Sequence, residues 1–284
     1  MRDNGLLKCY SNFSNQYGLL EISKLGEMKF KDNIMQLTDN QGIFNGMYYA
    51  KTCYLDRMQL EVLISQIVAD FGVDTAIYLP GVYSGSFAVV SNDVKGEKGE
   101  SLYNYLNKCK SLDAYFKSPY KKHNKYSTDD IKFNSWFTQK GLKEYVDAHI
   151  IRTACGDIDG HAGNMIVRAI DDIDGSAGKI DSLSLLDYGW ASQFLYSINK
   201  EGWHFDNGLG GGFEKTRDGM IEVFKNNEIV QDFYSSSEIA EKLGNIDVHK
   251  HVVDIKDCIG LEISTNIESE MARNIDYIAE GMIK

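Results

Sequence analysis

Proline is nearly absent. The 284 residues hold two, Pro80 and Pro119, so no proline-rich linker divides the chain. Cysteine is sparse and poorly spaced for pairing: Cys9, Cys53, Cys109, Cys155 and Cys258 form no C-x-x-C, and their number is odd. A disulfide framework or a zinc knuckle needs closer, paired spacing, so reduced thiols in a cytosol-like compartment are expected. Nowhere does the sequence sustain the roughly 18 to 20 apolar residues of a membrane span. Its opening, "MRDNGLLKCYSNFS", lacks the apolar run of a signal peptide. The expected location is cytoplasmic, with delivery by a specialised secretion route left open. Positive charge is in deficit, with a formal net charge of -11. Nucleic-acid phosphates attract lysine and arginine, so no direct nucleic-acid binding is expected. The one basic run, Lys117 to Lys125, reads as a solvated loop.

What the chain does have is enough apolar residue, 43%, for a large single domain or a two-lobed one. Residues 18 to 95 read as mostly strand with one helix. The tyrosine-rich alternation of Asn45 to Leu55 predicts a strand. Apolar residues at Leu60, Leu63, Ile64, Ile67, Val68 and Phe71 predict an amphipathic helix over Leu55 to Gly72, with the glycine ending it. "DTAIYLPGV" and "GSFAVVSND" predict two further strands joined by "GVYSG". Beyond about residue 100 helix dominates: "ESLYNYLNKCKSLDAYF", a long helix from Ser135 to Gly156, "SSSEIAEKLG", and a closing helix from "LEIST" onward. Two short strands, "NMIVRAI" and "SLSLLDYG", interrupt it. The fold class expected is α+β in two lobes, a strand-rich one over 1–93 and a helix-rich one over 94–284.

The chemistry-bearing stretch is "CGDIDGHAGNMIV", Cys155 to Val167, echoed from Asp172 by "DIDGSAGKI". Neither copy is a calcium loop. Such a loop needs oxygen ligands at positions 1, 3 and 5, Gly at 6 and Glu at 12. Counted from Asp157 these are His161, Ala162 and Arg168 at 5, 6 and 12; counted from Asp172, Ala177 and Leu183 stand at 6 and 12. The second copy reads as an acidic hairpin turn. The first differs. Asp159 and Asn164 stand five apart in a loop between a helix and a strand, and Asp187 of "LLDYG" ends the next strand. Phosphoryl transfer from ATP needs such a set: one carboxylate to accept or orient the attacking hydroxyl, an Asn oxygen and a second carboxylate to hold Mg2+. Hard magnesium prefers these oxygen ligands to His or Cys. A lysine for the phosphates is then required, and Lys51 stands inside an apolar strand where a lysine is otherwise awkward. Glu61 follows on the next helix. Gly42 and Gly46 precede the strand in a turn that fits over phosphates.

In this order (glycine hairpin, A-K strand, helix with Glu, long helix, D-x-x-x-x-N, D-Y-G) the chain resembles the protein-kinase-like superfamily over residues about 40 to 190. "D-G-H-A-G-N" is similar to the D-x-H-x-x-N loop of HipA-like bacterial kinases, phosphoinositide kinases and aminoglycoside or choline phosphotransferases, and "GDID" to the G-N-x-D run of the HipA-like kinases. The resemblance implies Asp159 as catalytic base and Asn164 and Asp187 as magnesium ligands. Lys51 would contact the α- and β-phosphates of ATP and pair with Glu61. The hinge around Val89 to Asn92, Val90 and Asn92 included, would hydrogen-bond adenine through its backbone. His161 would brace the loop or touch the phosphates; Asp157 reads as structural. A full G-x-G-x-x-G and an A-P-E signature are missing, and "DNGLGGGFEKTRDG", Asp206 to Gly219, follows instead as an activation-like or substrate loop, or a surface turn. The function implied is a Ser/Thr protein kinase acting on a protein substrate or on itself. A small-molecule or phosphoinositide acceptor and a nucleotide-binding pseudokinase are the alternatives.

Overall fold

The computed structural model describes residues 19–24, 27–31, 34–38, 47–96, 98–108, 133–158, 160, 162–170, 178–192 and 216–284. The first part of the chain builds strands β1 (Leu20–Glu21), β2 (Glu27–Lys31), β3 (Ile34–Thr38) and β4 (Met47–Thr52), then helix α1 (Leu55–Phe71). Strands β5 (Asp74–Thr75), β6 (Tyr78–Tyr83) and β7 (Ser86–Asn92) follow. Six of them form one sheet in the order β1-β6-β7-β4-β3-β2, antiparallel except for β1 against β6. The β6–β7 turn is Ser84-Gly85, both left-handed at φ 49° and 81°, the two-residue geometry whose twist matches the flanking strands.

Helix α1 ends at Gly72, left-handed at φ 98°, where the sequence places it. Its expected amphipathic character is not what the structure has. Every residue from Met58 to Val68 is buried, because the sheet covers one side and C-terminal helices cover the other.

The second part contributes β8 (Glu100–Ser101), α2 (Leu102–Lys108), α3 (Gln139–Ala154), β9 (Met165–Ala169) and β10 (Ile180–Leu185). Helix α3 starts later than its apolar pattern suggests. Phe133–Trp136 form a 3-10 turn, and the Thr138 hydroxyl accepts the Gly141 N–H as an N-cap. Gly141 must be glycine, since a Cβ there would overlap the Ile180 carbonyl on β10. Strands β9 and β10 are the expected hairpin, inside a sheet of order β5-β10-β9-β8. Strand β5 reaches it from the first part of the chain and pairs parallel with β10, joining the two parts. The second D-I-D-G lies outside the described residues.

Helices α4 (Arg217–Asn226), α5 (Glu228–Gln231), α6 (Ser236–Gly244), α7 (Val248–Ile259) and α8 (Thr265–Ile283) complete an α+β fold with sheets first and helices last. The end of the glycine-rich stretch is not loop: Thr216 caps α4, and Arg217–Gly219 are its first turn. The rest of that stretch, 206–215, lies outside the described residues. Among the described helices none is long and apolar enough to cross a membrane. Ser235 and Glu238 form a reciprocal capping box on α6. Ser235→Ala is expected to lower stability by about 1 kcal/mol, read as a shifted urea midpoint at constant slope.

His149 sits on the core face of α3 against Tyr145, ring centroids 4.4 Å apart. Neither ring nitrogen has a hydrogen-bond partner among the described residues. Burial, helped by the charge of Arg152, pushes its pKa down to about 3. The unfolded chain therefore takes up a proton below its ordinary 6.5 that the folded chain refuses. This contribution to stability is complete above that value and is lost as pH falls toward 3, by about 1.4 kcal/mol per pH unit. His149→Leu is expected to flatten acid unfolding through this window without loss of stability at neutral pH. An unchanged pH slope in denaturant titrations would contradict it.

Candidate active site

Alternation in β4 and β7 decides which side chains face the cleft between the two sheets. Tyr49 pairs with Ser91 and Lys51 with Val89 on one face. All four line a cleft of about 220 Å3. Ile166 of β9, with Leu186 and Asp187 just beyond β10, closes the opposite wall. The result is an apolar slot with Lys51 and Asp187 at one end and Asp93 and Lys95 also on its lining.

The charge at that end is centred on Lys51. Its Nζ lies 3.0 Å from Glu61 Oε1 and 2.7 Å from Asp187 Oδ1. Burial alone would lower the Lys51 pKa, but the Glu61 and Asp187 charges and their hydrogen bonds outweigh it and raise it. For Asp187 burial pushes upward, and Lys51, the Gly189 N–H and Arg57 together hold its carboxyl below the usual range. Burial pushes Glu61 up, Lys51 and Arg57 opposing it. Asp187 has φ 56°, a left-handed backbone rare outside glycine, which turns the chain sharply after β10. Its N–H donates to the Tyr78 hydroxyl at 2.9 Å, and its own Oδ1 accepts the Gly189 N–H at 3.1 Å.

The hairpin brings Asn164 to the same end. Met165 stands opposite Leu185, and the Asn164 carbonyl accepts the Leu186 N–H at 3.1 Å. Arg152, 1% exposed, braces this junction. It donates to the carbonyls of Asn164 at 3.4 Å and Asp187 at 3.3 Å, and lies 5.6 Å from the Tyr188 ring centroid. It also pairs with the buried carboxylate of Asp157. Asp157 is thus engaged in bracing, in keeping with its reading as structural.

The structure therefore brings Lys51, Glu61 and Asp187 into contact, while the strand register places the Asn164 backbone opposite Leu186, one residue before Asp187, with Asn164 buried and not among the residues lining the cleft. Asn92 lines the cleft, with its side-chain oxygen accepting the Ile77 N–H at 3.0 Å. Val90 does not line it. Its side chain is buried on the other face of the sheet, and its backbone stands in register between Ala50 and Leu79. The ladder releases the backbone only after Asn92, at Asp93–Lys95, which do line the cleft. Asp159, His161, Gly42 and Gly46 lie outside the described residues. The sequence reading passed over Arg57, Arg152, Tyr49 and Tyr78. For Tyr49 a signal existed, since it stands two residues before Lys51 on the same strand face.

No protein-family model and no curated protein matches the sequence. Among the solved structures similar to it, the Helicobacter pylori proinflammatory kinase CtkA superposes with a TM-score of 0.57 at 16% identity, covering 90% of each chain. HipA of the Shewanella oneidensis MR-1 toxin–antitoxin system, solved with HipB and its operator DNA, gives a TM-score of 0.51 at 9% identity. That match covers 90% of this chain but 65% of the other, so the chain spans less than two thirds of that protein. With its sheets, its cleft and the Lys51–Glu61–Asp187 contact at one end, the chain has a protein-kinase-like fold of the HipA-like kind.

Proposed function

We propose that this protein is an ATP- and magnesium-dependent phosphotransferase, a Ser/Thr protein kinase acting on a protein hydroxyl or on its own chain. The observation that carries this reading is Lys51 held between Glu61 and Asp187 at one end of an apolar cleft. In this reading residues 1–93 form the nucleotide-binding lobe and 94–284 the lobe carrying the catalytic loop. The slot lined by Val89, Ile166 and Leu186 suits a flat aromatic base, and the Asp93–Lys95 backbone, where the Val94 carbonyl already accepts Arg168 and the Lys95 N–H donates to Asp93 Oδ1, runs along its edge. Lys51, pre-oriented by Glu61, meets the phosphates.

The donor set suits magnesium: an Asn and an Asp, both oxygen ligands, carried at adjoining ends of paired strands. Bound there, the ion would offset phosphate charge as the transferred group separates. The protein's own work is positional. Arg152 holds Asp157 and Asn164, the two residues that bracket Asp159 in sequence, so the loop carrying the base is anchored at both ends. Asp159 would accept the proton of the attacking hydroxyl.

The test is nucleotide binding. Wild type is expected to bind a fluorescent ATP analogue in a manner competed by ATP, and Lys51→Ala to weaken it by about tenfold or more. Binding indifferent to Lys51 would contradict the assignment of the cleft.

A further inference from the structure

Arg57 stands one turn before Glu61 on α1, and it converges on the same two acceptors as Lys51. Its Nε donates to Glu61 Oε1 at 3.1 Å, the oxygen that also accepts Lys51 at 3.0 Å. Its Nη2 lies 3.7 Å from Asp187 Oδ1, the oxygen that accepts Lys51 at 2.7 Å and the Gly189 N–H at 3.1 Å. Its guanidinium lies against Gly189, where a Cβ would overlap Nη2, Cζ and Nε. An exposed ion pair would contribute little. This one has a wholly buried acceptor in Glu61 and a backbone cut away to admit it.

The two oxygens of the Asp187 carboxylate are treated unequally. Lys51, Arg57 and the Gly189 N–H all address Oδ1, while among the described residues no donor reaches Oδ2. The side chain is still 39% exposed. Holding one oxygen from three directions fixes the carboxylate plane and leaves the other oxygen for a ligand.

We propose that Arg57 is a positioning residue that clamps Asp187 against helix α1, so that Oδ2 is presented to the divalent cation of a bound nucleotide, and that position 189 is glycine to admit the clamp. The proposal rests on the phosphotransferase reading above. It separates the roles of the two cations. Lys51 serves the phosphates, with or without metal; Arg57 serves the metal ligand, and its loss matters only when metal is present. It also couples Arg57 to Gly189, because a methyl group at 189 would evict the guanidinium.

The experiment is calorimetric titration of the full chain with AMP-PNP, once with excess magnesium and once with EDTA. It covers wild type, Arg57→Ala, Arg57→Lys, Gly189→Ala and the Arg57→Ala/Gly189→Ala double variant, each checked by thermal unfolding. Magnesium is expected to tighten binding to wild type, and Arg57→Ala to lose about tenfold of that gain while its affinity in EDTA stays within about twofold. Gly189→Ala is expected to reproduce this, and the double variant to be no worse than either single one. Arg57→Lys, a point charge without the planar fork, is expected to recover only part of the loss. Equal losses with and without magnesium, additive losses in the double variant, or full recovery by lysine would each overturn the proposal. Wild type that binds AMP-PNP in neither condition defeats the phosphotransferase reading and this proposal with it. Magnesium-dependent binding untouched by Arg57→Ala defeats the proposal alone.

Discussion

Arg152→Ala is expected to lower the unfolding free energy by about 3–5 kcal/mol, among the largest effects of any single substitution in this chain. The guanidinium is 1% exposed and faces Asp157, itself 2% exposed. Removing it leaves a carboxylate uncompensated in the interior, which costs far more than the intact pair contributes. It also strips the donor from the Asn164 and Asp187 carbonyls and the packing from the Tyr188 ring. Chemical denaturation of Arg152→Ala, Asp157→Asn and the Arg152→Met/Asp157→Asn pair separates these terms. Once the carboxylate is neutral there is no stranded charge, so the double variant should be markedly more stable than Arg152→Ala. A single-variant cost below about 1 kcal/mol would mean that the pair is hydrated and not buried as described.

Lys51→Met is expected to reduce phosphoryl transfer by about 10²–10³-fold, the usual consequence of deleting one preorganised charge aimed at the reacting group. Glu61→Gln should reduce it less, because the amide would still fill the site under β4 while losing the charge that orients Lys51. Lys51→Met also leaves the wholly buried Glu61 facing only Arg57, and burial already pushes that carboxyl upward. Protonated Glu61 is the cheap outcome, so the variant should remain folded at neutral pH and grow less stable as pH rises. Single-turnover transfer together with denaturant midpoints at two pH values checks both halves. A transfer rate unchanged in Lys51→Met would remove the lysine from the reaction.

Much of the frame was legible because it rests on periodicity and caps. Tyr48 to Lys51 alternate, α1 stops at Gly72, and the "LLDYG" strand pairs with "NMIVRAI" at the register that sets the Asn164 backbone opposite Leu186, one residue before Asp187. The Lys51–Glu61 contact was legible for a different reason: a lysine inside an apolar strand needs a partner, and the next helix offered one. Other elements gave weaker signals. The buried stripe of α7 runs Val248, His251, Ile255, Ile259, and a histidine in that stripe reads as polar surface. Helix α4 follows a glycine run and borrows Thr216 from it as its cap.

Arg57 and Arg152 were hidden by the same rule. An arginine on a helix is ordinarily a solvated face, and only tertiary structure shows that these two guanidiniums point into loops more than 100 and about 10 to 35 positions away respectively. The expectation at Val90 shows the limit of carrying a hinge over from a family resemblance. Its apolar run marks a central strand paired on both sides, and the chain leaves the ladder only after Asn92.

Phosphoryl transfer from ATP is followed by incubating the purified protein with γ-labelled ATP and magnesium, alone and with casein as an acceptor protein. Wild type is run beside Asp159→Asn and Asp187→Ala, and label is followed in protein and in free phosphate. Label is expected to be transferred by wild type, to itself or to casein, and lost in both variants while each stays folded. ATP that is bound but left intact by wild type, or label that persists in both variants, would contradict this reading.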